Sequence, residues 1–297
     1  MSSILIAILA GMGGMIGWGL ADLFAKKTID EIGDMTTLVW AHIFGTLFIA
    51  VIFLNQILFF SDSKNFNLSL KDWIIIVFFG ILQGAVYLFV YKGFGKGLVA
   101  ILNPIFASFT GLVALISILF LGEIISLGII ISLLTILFGV LLLSTDLESL
   151  KLKKINILHT PGSKEVFLAT FLAAIWTILW NIFIDGKNWL FIASLMYVFM
   201  TLFIILISKL QNLKFEFPKK SAARYLMFIG AFEVIAYISI SLGYSLTPHT
   251  SIIALVSGAF SLPTIILARR FLGEKISKWQ SVGGFVVIVG IIILFLV

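Results

Sequence analysis

Apolar runs separated by short polar clusters fill the chain from end to end. A helix needs about 20 mostly apolar residues to cross a bilayer. Divided at charges and turn residues, the sequence holds ten such runs, roughly 4–25, 35–59, 73–91, 98–120, 124–144, 166–184, 189–208, 222–244, 249–270 and 276–296. The shortest divider is Asp185-Gly186-Lys187-Asn188, a tight-turn signal between the sixth and seventh runs. The longest is 146–164, with Lys151, Lys153, Lys154, Pro161 and Gly162. It parts a first unit, 1–145, from a second, 165–297, each with five runs. The first residues, MSSILIAILAG, lack a positive stretch and lead into a full-length apolar run, which predicts a retained helix.

The two units echo each other. Gly80–Phe94 reads GILQGAVYLFVYKGF, and 150 residues later Gly230–Tyr244 reads GAFEVIAYISISLGY. Gly80 falls on Gly230, Gln83 on Glu233, Tyr87 on Tyr237, Gly93 on Gly243 and Phe94 on Tyr244. In each copy the two polar positions are four apart and share one helix face. Leu121-Gly122-Glu123 recurs as Leu272-Gly273-Glu274 at a shift of 151, with Ser126 on Ser277 and Gly139 on Gly290. Five runs per unit is odd, so the second unit enters the membrane from the opposite side. The expectation is an all-α integral membrane protein of ten transmembrane helices in two inverted five-helix repeats, with 146–164 as a cytoplasmic linker. In that architecture a substrate site lies near midplane at the repeat interface.

Composition agrees: the chain is 61% apolar and 11% charged, where a soluble domain carries about 25% charge. It has no cysteine, which excludes disulfides and thiolate metal sites. The net charge of +6 is no nucleic-acid signal, because the basic residues sit in short loops without a basic face. Of the 20 lysines and arginines, 17 fall around odd-numbered connections and 3 (Lys64, Lys71 and Lys187) around even ones. The positive-inside rule then places the odd connections in the cytoplasm and both termini outside.

Candidate chemistry is sparse. Glu233 lies nine residues beyond Arg224, about 13 Å along a helix and so near mid-membrane. A charge there marks function by default, the alternative being a hydrogen-bonded packing group. Gly13 and Gly17 are a small-xxx-small packing pair, and Trp18 lies too deep for an interfacial belt. Asp22 has Lys26 one turn on as its simplest partner. His42 either relays protons with Asp22 or bonds a backbone carbonyl. Trp176 and Trp180 share a face as a possible aromatic wall, while Tyr91, Tyr197 and Tyr244 read as belt residues. Pro104 and Pro263 interrupt the fourth and ninth runs, either lining a path or merely tolerated. Gly122-Glu123 and Gly273-Glu274 read as turns, with glycine ending one helix and glutamate in the first turn of the next. There is no metal-spaced histidine cluster, phosphate loop or nucleophile–base pair, so no enzyme is expected.

The Gly-Trp-Gly element of the first run, the twice-used Leu-Gly-Glu-x-x-Ser turn, GFGKGLVAILNPIFASF and SKWQSVGG together resemble the EamA type of the drug/metabolite transporter superfamily, over the whole chain. Trp40-Ala41-His42 stands where that family often has a basic residue. The resemblance implies a ten-helix carrier with a central cavity, moving amino acids or small organic compounds through the cytoplasmic membrane. Gln83, Tyr87, Glu233 and Tyr237 would line the cavity, with Trp18 and Trp180 as walls and Pro104 and Pro263 as gating bends. Its partners would be a small-molecule substrate and the lipid bilayer, as monomer or homodimer, without a cofactor. The rival is a membrane-embedded scaffold or lipid-handling accessory protein with no transport cycle.

Overall fold

The structure is a computed structural model that describes residues 2–59, 66–96, 99–123, 125–144, 161–213, 217–267, 269–270 and 276–297. The second turn, Leu272-Gly273-Glu274, and most of the linker lie outside the described residues, as do the side chains of Lys26 and Pro104. Regular structure among the described residues is helical: α1 (Ser3–Ile32), α2 (Asp34–Phe59), α3 (Leu70–Lys96), α4 (Val99–Ala107), α5 (Phe109–Phe120), α6 (Leu127–Ser144), α7 (Ser163–Ile184), α8 (Trp189–Leu210), α9 (Lys220–Leu246), α10 (Thr250–Gly258), α11 (Ser261–Leu267) and α12 (Lys278–Leu296). Among the described residues, eight spans are long and apolar enough to cross a membrane, with α10 and α11 forming one of them. Two shorter apolar helices, Ile105–Phe120 and Leu127–Leu143, fall in the fourth and fifth predicted runs.

Helix ends follow capping chemistry more closely than charge. The first helix runs past Lys26 and Lys27 to Ile32 and stops at Gly33, where φ is 84°. Lysines prolong a helix beyond the bilayer without ending it; a left-handed glycine ends it. Asn188 accepts from Phe191 N–H to start α8, and Ser277 with Gln280 forms a capping box at α12.

Two predicted runs are broken. The fourth breaks at Ser108 between α4 and α5, and the ninth at Ala259–Phe260 between α10 and α11. Ser108 and Ala259 correspond under the 151-residue shift, whereas neither proline has a proline counterpart: Pro104 maps to Leu255 and Pro263 to Leu112. The two breaks are made differently. The Ile105 carbonyl accepts from Ser108 N–H (3.3 Å), Ser108 Oγ (2.6 Å) and Thr170 Oγ1 (3.0 Å), so hydroxyls compete with the helical ladder. In the other half Pro263 has no N–H to give the Ala259 carbonyl, which accepts from Leu262 N–H instead (2.9 Å).

Repeated glycines sit where helices approach most closely. A methyl at Gly80 on α3 would lie 2.9 Å from Met200 N of α8, and one at Gly230 on α9 would lie 2.6 Å from Ala41 O of α2. Gly93 packs on Val166 and Gly162 at the start of α7, and Gly243 on Ala10 of α1. Gly139 of α6 packs on Val287 of α12, and Gly290 of α12 on Ile136 of α6. Gly13 and Gly17 bring α1 against Ser239, Phe232 and Ala236 of α9.

Candidate functional site

The polar faces of α3 and α9 meet in the middle of the bundle. Gln83 Nε2 donates to Tyr237 Oη at 2.5 Å, and the Tyr237 hydroxyl in turn donates to Tyr87 Oη at 3.3 Å. Gln83, Glu233 and Tyr237 are all buried. One turn from Tyr237, Glu233 Oε2 accepts from Tyr197 Oη at 3.1 Å and lies 3.7 Å from His42 Nε2. The residues predicted from the repeat therefore converge, and two others join them.

His42 bonds a backbone carbonyl, as one of its two sequence readings had it: Nδ1 sits 2.9 Å from Leu38 O. A carbonyl only accepts, so Nδ1 carries a proton, and Nε2 is the ring nitrogen turned toward Glu233. Tyr87 meets the imidazole edge to face at 4.8 Å between centroids, and Tyr197 stacks on it at 5.8 Å. Thr46 and Thr201 both bond the His42 carbonyl, which ties α2 to α8 at this level. The Tyr197 hydroxyl also lies directly over Gly45, where any side chain would displace it.

Trp18 lies half-buried beside this cluster, edge-on to Tyr237 (6.2 Å) and to Phe260 (6.3 Å). Trp18 and Trp176 line a cleft with Phe109, Tyr237, Tyr244 and Ser257, with space for about one water molecule. Trp180 stands one layer further out: it stacks on Trp176 (5.2 Å), is wholly buried, and donates its indole N–H to Ser241. Trp176 takes the lining position expected of Trp180, meeting Tyr237 edge-on at 5.9 Å. Among the described residues, three polar atoms at this centre are buried without a hydrogen-bond partner: Trp18 Nε1, His42 Nε2 and Gln83 Oε1. With His42 Nε2 turned to Glu233, the indole donor of Trp18 and the amide acceptor of Gln83 are the groups that fit a place where something else binds.

Three readings need correction. Tyr91, Tyr197 and Tyr244 are buried in the core and form no interfacial belt, and the Tyr197 hydroxyl donates to Glu233. Glu123 follows left-handed Gly122 (φ 68°) as a turn requires, but does not serve the next helix. It reaches across to α10, accepting from Ser251 N–H at 2.9 Å and Ser251 Oγ at 2.5 Å. Finally, the partner that faces His42 is Glu233, not Asp22.

Pro263 packs on Gly19, one residue beyond Trp18, and Thr264 Oγ1 donates to the Gly19 carbonyl at 2.9 Å. Pro104 lies in α4, where Asn103 Nδ2 donates to Ser261 Oγ of α11 at 3.2 Å. The two broken helices thus touch beside their breaks.

A family model described as the EamA-like transporter family matches residues 5–145 and again 162–296. No curated protein matches the sequence. A solved structure titled only "Crystal structure of protein" is similar over 98% of this chain and 97% of its own, with a TM-score of 0.75 at 14% identity. At that identity it shows a shared fold.

Proposed function

Because the chain belongs to the EamA-like transporter family, multi-pass membrane transporters of the drug/metabolite type, we propose that it is a secondary active carrier. It moves a small metabolite, an amino acid or small organic compound, across the cytoplasmic membrane by alternating access. The observation that carries this reading is the buried carboxyl of Glu233 held between Tyr197 and His42. An ionisable group at that depth costs several kcal/mol unless it is partnered, and such groups mark ion and substrate paths. Glu233 and His42 Nε2 form a pair able to hold and release one proton. Tyr237 and Gln83 link that pair to the Trp18–Trp176 cleft, where substrate would sit.

The ten-crossing, inverted-repeat arrangement is part of the same proposal, with α4–α5 and α10–α11 each making one broken crossing. Exchanging the halves turns the α3–α8 contact into the α9–α2 contact, and α3–α7 into α9–α1, and both members of each pair are present. The matched glycines and matched breaks support it further. The cleft has room for about one water, so a metabolite enters only as the halves separate.

The test is flux in proteoliposomes. Glu233→Gln keeps the shape and removes the titration, so transport should fall at least tenfold or lose its pH dependence while the protein stays folded. Wild-type rate and pH profile in that variant would make Glu233 structural.

A further inference from the structure

Asp22 stands apart from the other acids of the core. It belongs to a membrane-spanning helix, yet it is exposed. At 100° per residue it lies about 40° around α1 from Trp18, which faces the core, and about 120° from Ile16, which faces outward. It therefore opens onto the interior and not onto lipid. One turn from Trp18, which meets Tyr237 edge-on, Asp22 falls at the level of Tyr91, which lies one turn from Tyr87, the residue Tyr237 hydrogen-bonds.

Its depth follows from the antiparallel packing of α1 on α9. Gly13 meets Ser239, Gly17 meets Phe232 and Ala236, and Phe24 stacks on Phe228 and Tyr225. Asp22 is thus on the Lys220 side of Glu233, short of the rim where Lys27 donates to Tyr225 beside Arg224. Tyr91 is one turn from Tyr87 toward the same end of α3, with rings 6.5 Å apart. Glu233 itself is buried behind His42, Tyr87, Tyr197 and Tyr237.

We propose that Asp22 is the proton-exchange station between the Lys220-side water and Glu233, with Tyr91 and Tyr87 as the hydroxyls between them. This rests on Glu233 titrating, as the proposed function requires. A proton taken up on the Asp22 carboxylate passes by hydroxyl hops (each tyrosine accepting one proton and releasing another) to the Glu233 carboxylate, and charge balances at every step. Among the described residues, the charged and titratable groups around the path are Glu233, Tyr91, Tyr87, His42, Tyr197 and Tyr237, with Lys27 and Arg224 engaged at the rim.

The experiment is time-resolved infrared spectroscopy of the full chain in proteoliposomes after a pH jump on one side. The Glu233 carboxyl band is the one that Glu233→Gln removes. Asp22→Asn should slow its response to a jump on the Lys220 side at least tenfold, leave the response from the opposite side unchanged, and be rescued by Asp22→Glu. Tyr91→Phe, which leaves Asp22 in place, should slow the same response. A band that responds within twofold of wild type in both variants overturns the proposal while Glu233 stands. A wild-type band that never responds to pH removes Glu233 as well, and an Asp22 effect seen only with sodium present overturns the proton assignment.

Discussion

A carboxylate that accepts two hydrogen bonds from one residue in a helix's first turn, as Glu123 does from Ser251, acts as that helix's cap. His249, the residue at the α10 cap position, makes no side-chain cap bond, so Glu123 supplies it from the other half of the chain. Burial pushes the Glu123 carboxyl above its ordinary 4.5, outweighing the Ser251 bonds that act to lower it. A raised value means the fold favours the protonated form. Its contribution to stability is therefore full below about pH 4.5 and declines as pH rises through the folded value. Thermal unfolding in detergent from acid to neutral pH should show that decline in the wild type and lose it in Glu123→Gln. Glu123→Ala leaves the Ser251 N–H uncapped and should cost about 1 kcal/mol.

At the scale of elements, the broken helices carry the next prediction. Pro263→Ala returns an N–H to the Ala259 carbonyl, favours a continuous α10–α11 and removes the ring from Gly19. A bend that serves gating slows the cycle more than it weakens binding. Turnover should fall several-fold with substrate affinity within about twofold, and unchanged turnover at normal expression would make the bend a packing feature. These elements also show what the sequence could reveal. Gln83, Tyr87, Glu233 and Tyr237 are legible because the repeat marks each pair twice, four residues apart on one helix face. His42, Tyr197 and Trp176 sit on helices whose rotation only packing fixes: nothing local to Tyr197 separates a belt tyrosine from one over Gly45. The prolines drew the eye to the broken runs, but the hydroxyls of Ser108 and Thr170 that hold the first break open have no sequence signature. Glu123 was misassigned for the same reason, since its partner is 128 residues away.

For the whole molecule, orientation and crossing number can be checked together. The 17-to-3 basic bias predicts that α9 starts in the cytoplasm and that the α7–α8 turn lies outside. The chain contains no cysteine, so a single introduced thiol reports one position. Lys220 and Asp185 are exposed on opposite sides of α8, and Val297 is exposed at the end of α12. A membrane-impermeant maleimide added outside intact cells should label Asp185→Cys and Val297→Cys and spare Lys220→Cys until the membrane is opened. From Lys220 to Val297 the chain crosses three times if broken α10–α11 counts as one crossing, and an odd number leaves Val297 opposite Lys220. Labelling of Lys220→Cys alone inverts the orientation but keeps the count. Labelling of Val297→Cys together with Lys220→Cys, or of neither, breaks the count, and the inverted repeat with it.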